Sequence, residues 1–113
     1  MNSVTLSIAS RDEVTRRAMA AFGGESQGAH ISFGSVDQLW RTLTKKRWEI
    51  LRAKTGESEM SIREIARRVN RDAKALHGDV TALIQAGILE RSEAGIVFPF
   101  DEVRVDFRLT KAA

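Results

Sequence analysis

The chain has 113 residues, with 18 Lys plus Arg against 15 Asp plus Glu, two His, one Pro and no Cys. At 42% hydrophobic and 29% charged, it has the composition of one small globular domain, too short for two full cores. The absence of Cys excludes a disulfide frame and thiolate metal sites, and no apolar run nears the ~18 residues of a membrane helix.

In chain order, Val4, Leu6 and Ile8 alternate with Thr5 and Ser7, the period of a strand with one buried face. Ser10 followed by Arg11-Asp12-Glu13 is a serine cap with Glu three residues on, predicting a helix over 11–22 that Gly23-Gly24 terminate. The start of the chain lacks the basic opening and apolar middle of a secretion signal, so the expected location is cytoplasmic. Residues 25–29 have loop composition, and Ile31 with Phe33 reads as a brief strand or a core plug. Ser35 caps a predicted helix over 36–43 bearing Leu39, Trp40 and Leu43. Thr44 caps another over 45–54, with Trp48 and Leu51 inward and Lys45, Lys46, Glu49 and Arg52 in water. Both Trp are expected in the core.

The centre carries the strongest local signal. Ser61-Ile62-Arg63-Glu64 is a capping box, with Glu64 reaching back to the cap and Ile62, Ile65, Ala66 and Val69 as the apolar stripe. Asn70-Arg71-Asp72 breaks the pattern. A helix over 73–86 follows, capped by Asp72, striped by Leu76, Val80, Leu83 and Ile84, and closed by Gly87. Two capped helices separated by a three-residue turn make a helix-turn-helix. Beyond Gly87 the period becomes alternating: Ile88-Leu89-Glu90-Arg91-Ser92 and Ile96-Val97-Phe98 flank the turn Glu93-Ala94-Gly95, a hairpin placed as a wing. Pro99 interrupts it, Asp101-Glu102 shape a bend, and Val103, Val105, Phe107 and Leu109 alternate as a last strand.

The expected fold is therefore α+β: a winged helix-turn-helix over 35–100, a strand-helix extension over 1–34 suited to dimerisation or partner binding, and a C-terminal strand and tail over 101–113. The two terminal strands each need a partner, either one another or their counterparts in a second subunit.

Charge is uneven: residues 41–74 hold 11 Lys/Arg against 5 Asp/Glu, a balance of +6, while the remainder holds 7 against 10, or −3. A positive middle third suits a polyanionic partner, double-stranded DNA above all, although a solvated helix face gives a milder form of the same count. The second helix of a helix-turn-helix enters the major groove and presents its first turns to base edges. Here Arg71, Lys74, Ala75, Gly78 and Thr81 share the face opposite Leu76, Val80 and Leu83. Arg71 and Lys74 donate to guanine or phosphate oxygens, while the small Ala75 and Gly78 permit close approach. Asn70 forms the turn or reads adenine, and His77 is a boundary residue or a phosphate contact. Lys45, Lys46 and Arg47, with Ser61 and Arg63, are candidate phosphate ligands and equally an ordinary charged surface. Arg91 and Ser92 on the wing can reach an adjacent groove, where Glu93 limits insertion. His30 has no second ligand type nearby, so no metal site, cofactor or catalytic activity is expected.

The runs Phe33-x-Ser35, Leu39-Trp40, Leu43-Thr44-x-x-Arg47-x-x-Ile50-Leu51, the stretch from Ser61 to Leu83 containing Arg71-Asp72-x-Lys74-x-x-His77-x-Asp79-Val80, and Phe98-Pro99-Phe100-Asp101-Glu102-Val103-x-Val105 together carry a resemblance. Over about two-thirds of its length the chain resembles a MarR-like winged-helix family of small prokaryotic transcriptional regulators, some of whose members look like the antitoxin half of toxin–antitoxin pairs. The resemblance implies that Arg71, Lys74, His77 and position 78 face DNA and that the protein is not an enzyme. Family members usually carry a basic or polar residue where Gly78 stands, and often Tyr where Phe100 stands. The function expected is a dimeric repressor. The alternative is an antitoxin that neutralises a toxin protein through its terminal elements and autoregulates its operon. The DNA-binding expectation requires Arg71 and Lys74 to project outward rather than fold onto acidic neighbours.

Overall fold

The computed structural model describes residues 2–8, 15, 16, 19 and 29–107. Helices α1 (Val36–Thr42), α2 (Lys45–Lys54), α3 (Ile62–Val69) and α4 (Ala73–Gln85) each begin at a side-chain cap that the sequence announces. Ser35, Thr44, Ser61 and Asp72 accept from the backbone N–H groups of Gln38, Arg47, Glu64 and Ala75 at 3.1, 3.3, 3.1 and 3.3 Å. Each such cap contributes about 1 kcal/mol by satisfying an otherwise orphaned donor. Asn70 ends α3 in the left-handed region at φ 56°, its N–H directed at the carbonyls of Ala66 and Arg67. The turn to α4 is thus three residues long, and Asn70 is its former.

Five strands complete the described elements. β1 (Ser3–Ile8) lies between β2 (Ala29–Phe33) and β5 (Glu102–Asp106), parallel to both. β3 (Glu90–Ser92) and β4 (Gly95–Val97) form the expected antiparallel hairpin, and Met60 bridges to Ile96 beside it. The two terminal strands therefore pair within the chain. The start of that pairing is tied down twice, since Asp101 N–H donates to the Asn2 carbonyl at 2.7 Å and Asn2 N–H to the Asp101 carboxylate at 3.1 Å. The predicted helix over 11–22, the loop before Ala29 and the strand end at Leu109 lie outside the described residues; Thr15, Arg16 and Met19 have helical backbone.

Register explains the sheet's two faces. Val4 sits between Ala29 and Val103, and Leu6 between Ile31 and Val105, so one face is apolar throughout. It joins Leu39, Leu43, Ile50, Leu51, Ile65, Leu76, Val80, Leu83, Ile96 and Phe98 in one continuous core. The architecture is α+β, with the helices and hairpin forming a single excursion between two strands of the same sheet.

Two expectations are corrected, and one burial was not foreseen. Trp40 is 52% exposed, its ring edge-on to Phe107 at 5.6 Å, because neighbours on a helix point about 100° apart and Leu39 takes the inward place. Glu64 engages Arg67 and Arg68 rather than the cap, so only the Ser61 half of the capping box forms. Lys54, nominally a helix-end cation, is fully buried and donates from Nζ to the Ser58 carbonyl at 2.7 Å. Burial pushes its pKa below the usual lysine value, against the opposing pull of Glu57, with Arg68 adding to the fall and Glu59 resisting it.

Gly95 has a stricter role than a flexible turn residue. Its φ is +147°, and a Cβ there would lie 2.4 Å from the Met60 carbonyl oxygen. Gly95→Ala is expected to lower unfolding stability by about 1–3 kcal/mol, because the clash is with the Met60 and Ser61 backbone beside the Met60–Ile96 bridge. Urea titration of the variant beside the parent measures it, and an unchanged midpoint would contradict the close approach.

Candidate nucleic-acid interface

The amino-terminal half of α4 carries the candidate residues. Leu76 and Val80 are buried against the core, which turns Lys74, Ala75, His77 and Gly78 outward, all four exposed. Beyond the chain neighbours and backbone of its own helix, none of the described residues comes within 4 Å of where a Gly78 Cβ would stand. Thr81 departs from that face, being half-buried with its Oγ1 enclosed and without a hydrogen-bond partner among the described residues.

Arg71 departs more sharply. Its Nη2 lies 2.8 Å from Asp79 Oδ2, and its side chain is only 16% exposed. The other carboxylate oxygen, Oδ1, accepts from Arg47 Nε at 3.0 Å, while Arg47 Nη1 donates to the Thr42 carbonyl at 3.1 Å. A single carboxylate thus joins the first turn of α2, the turn before α4 and the middle of α4. Of the two cations required to project outward, Lys74 does so and Arg71 is folded onto an acidic neighbour, so the condition set on the DNA-binding expectation is met by Lys74 and failed by Arg71. Arg47, read from sequence as a phosphate ligand, is likewise committed. Burial of Asp79 favours its neutral form, but the hydrogen bonds and charges of Arg47 and Arg71 outweigh this and hold its pKa below the usual carboxylate value.

Lys45 and Lys46 are exposed on the α2 turn that Arg47 anchors to α4. Ser61, Arg63, Arg91 and Ser92 are exposed around the start of α3 and the hairpin. This second group is held together by the Met60–Ile96 bridge and by Ser92, whose hydroxyl contacts Glu59 and the Gly95 carbonyl. Ser61 Oγ is already occupied as the α3 cap. Among the described residues, no hydrogen bond or ion pair links this group to Lys74 or His77. Sequence reasoning assigned no role to Asp79. Its signal was a carboxylate eight residues after Arg71, two helical turns along, in a stretch otherwise read for its cations. Among the described residues no cluster of metal-ligating side chains occurs.

Residues 42–105 match the HVO_A0114 family model, from the last residue of α1 into β5. The match spans more than half of the chain, which therefore belongs to the HVO_A0114 family. Comparison with curated proteins and with solved structures finds no match.

The Asp79 geometry sets a pH dependence. A carboxyl held below its unfolded pKa stabilises the fold fully above the ordinary carboxylate range, and that contribution fades as pH falls through the range to the depressed value. Asp79→Asn is expected to cost about 2 kcal/mol at neutral pH, the scale of hydrogen bonds to charged groups, and to lose less on acidification than the parent. Thermal melts of both proteins between neutral and acid pH provide the check; parallel acid limbs would contradict it.

Proposed function

We propose that this member of the HVO_A0114 family is a sequence-specific double-stranded DNA-binding regulator, a dimeric repressor built as a winged helix-turn-helix. In this reading α4 is the recognition helix, α3 crosses the backbone before it, and the β3–β4 hairpin is the wing. The observation that carries it is the exposed face of Lys74, Ala75, His77 and Gly78, set directly after a left-handed Asn70 turn and braced from behind by Asp79. A cation, a potential proton donor, and two small residues at the start of a helix offer hydrogen bonding with room for duplex backbone to approach. The helix amino terminus adds favourable partial charge toward phosphate.

Arg71 receives a positioning role here, not a base-reading one. Its guanidinium holds α4 by Asp79, leaving Lys74 as the principal exposed cation of that helix end, with Lys45 and Lys46 on the adjoining α2 turn as phosphate ligands. Arg63, Arg91 and Ser92 supply backbone contacts from the wing side, where Ser61 serves as a cap. The MarR-like resemblance of the Arg71-to-Val80 run supports α4 as the recognition helix through Lys74, His77 and position 78, but not the DNA-facing Arg71 that it implies, since that guanidinium is held by Asp79.

An electrophoretic shift against the protein's own upstream DNA tests the reading. Lys74→Ala is expected to weaken binding about tenfold, within the 1–3 kcal/mol range of a good base contact, with affinity of the parent falling steeply as salt rises. Unchanged affinity would reject α4 as the recognition helix. Gly78→Ala separates folding from binding. With open space around it, the added methyl should raise stability by up to about 1 kcal/mol through helix propensity, while lowering DNA affinity several-fold. A gain in stability with no loss of affinity would remove Gly78 from the interface.

A further inference from the structure

We infer that the outer edge of β5, with the Trp40–Phe107 face beside it, seats a second copy of this chain, joined strand to strand about a two-fold axis through Val105. The inference rests on the dimeric part of the reading above and gives it a specific interface. Among the described residues, β5 pairs with β1 on one side and with nothing on the other. An unpaired strand edge is a template for another strand, and natural proteins usually block it with charge. The charges here alternate in sign instead: Glu102, Arg104 and Asp106 all project, exposed, from one face.

That pattern selects among self-pairings. Antiparallel pairing centred on Arg104 would oppose Arg104 to itself and Glu102 to Asp106, placing like charges together throughout. Centring on Val105 opposes Arg104 to Asp106 of the partner subunit and, by symmetry, Asp106 to Arg104 of the partner subunit. Both are opposite-charge pairs at cross-strand distance. Within one copy, Arg104 and Asp106 approach only to 3.8 Å and remain 71% and 56% exposed, leaving both available to a partner. A two-fold through Val103 also pairs opposite charges, Glu102 with Arg104, but it moves the seam away from Phe107. The Val105 axis instead places Phe107 opposite Val103 of the partner subunit. It also brings the largely apolar groove lined by Trp40, Leu43, Lys45, Trp48, Val105 and Phe107 to the junction. Trp40, half exposed in the single chain, then gains cover, and two three-stranded sheets become one of six. Such an isologous, closed interface is the commonest way for a chain to pair with itself.

The test uses the full chain without DNA, by sedimentation over a concentration series. The parent is expected to dimerise. Arg104→Asp and Asp106→Arg, each at an exposed position, should raise the dissociation constant about tenfold, since each turns two symmetric attractions into repulsions. The double variant R104D/D106R should recover most of the parent's affinity, with circular dichroism confirming the same fold in all. Because the protein has no Cys, Val105→Cys adds a single thiol at the axis, and mild oxidation should yield a disulfide-linked dimer. Val103→Cys, offset from the axis, should not. A parent that stays monomeric, a dimer indifferent to the charge reversals, or cross-linking through position 103 instead of 105 would overturn the inference. A dimer that responds as expected yet binds no DNA would leave this interface standing and sink the regulatory reading alone. Undiminished operator binding by a monomeric parent would do the reverse.

Discussion

One carboxylate organises the helical half of this protein. Asp79 faces inward from α4 and meets a guanidinium from the α2 start and another from the turn after α3. Leu76, Val80 and Leu83 press α4 onto the core, but apolar contact is non-directional and tolerates rotation and sliding. Two hydrogen-bonded ion pairs at one site add a directional restraint on the helix about its axis, holding outward the face that its apolar stripe already selects. Without its cations this half-buried carboxylate would keep its desolvation cost and lose the pairing that offsets it, so the three side chains act as a unit.

The same unit changes what the basic middle of the chain means. Its +6 balance suggests a broad positive field. In the folded molecule Arg47 and Arg71 are committed to Asp79, Arg67 and Arg68 to Glu64, Arg68 also to Glu57, and Lys54 to a backbone carbonyl in the interior. Lys45, Lys46, Arg52, Arg63 and Lys74 remain exposed, as does Arg41, whose Nε donates to the Asp37 carbonyl. The regulatory reading therefore depends on a few placed cations and on the open space at Gly78, not on net charge. Charge-assisted pairing also stiffens α3 and its approach to the turn, which gives these internal pairs a structural purpose of their own.

The sheet solves a different problem. A parallel strand cannot be paired by a tight hairpin, so β1 draws its partners from both sides of the helical unit in sequence. This binds β1, β2 and β5 to the same core that holds α4. The family match, which begins at the end of α1 and ends in β5, includes one edge of this sheet but neither β1 nor β2.

Local chemistry was legible in the sequence by itself. The four helix caps, the left-handed Asn70, the stop at Gly87 and the Glu93-Ala94 turn all follow from interactions within a few residues, which a linear reading captures. So does the outward face of α4, because helical periodicity separates Lys74 and Gly78 from Leu76 and Val80 without reference to any neighbour. Tertiary structure decided what sequence spacing cannot encode. It chose parallel intrachain pairing for the terminal strands, drew Arg47 across 32 residues to Asp79, turned Arg71 inward, buried Lys54 and left Trp40 half in water. The physical reason is common to all five. The fate of a charge or a ring depends on which distant surface packs against it, and that is determined only when the whole core closes.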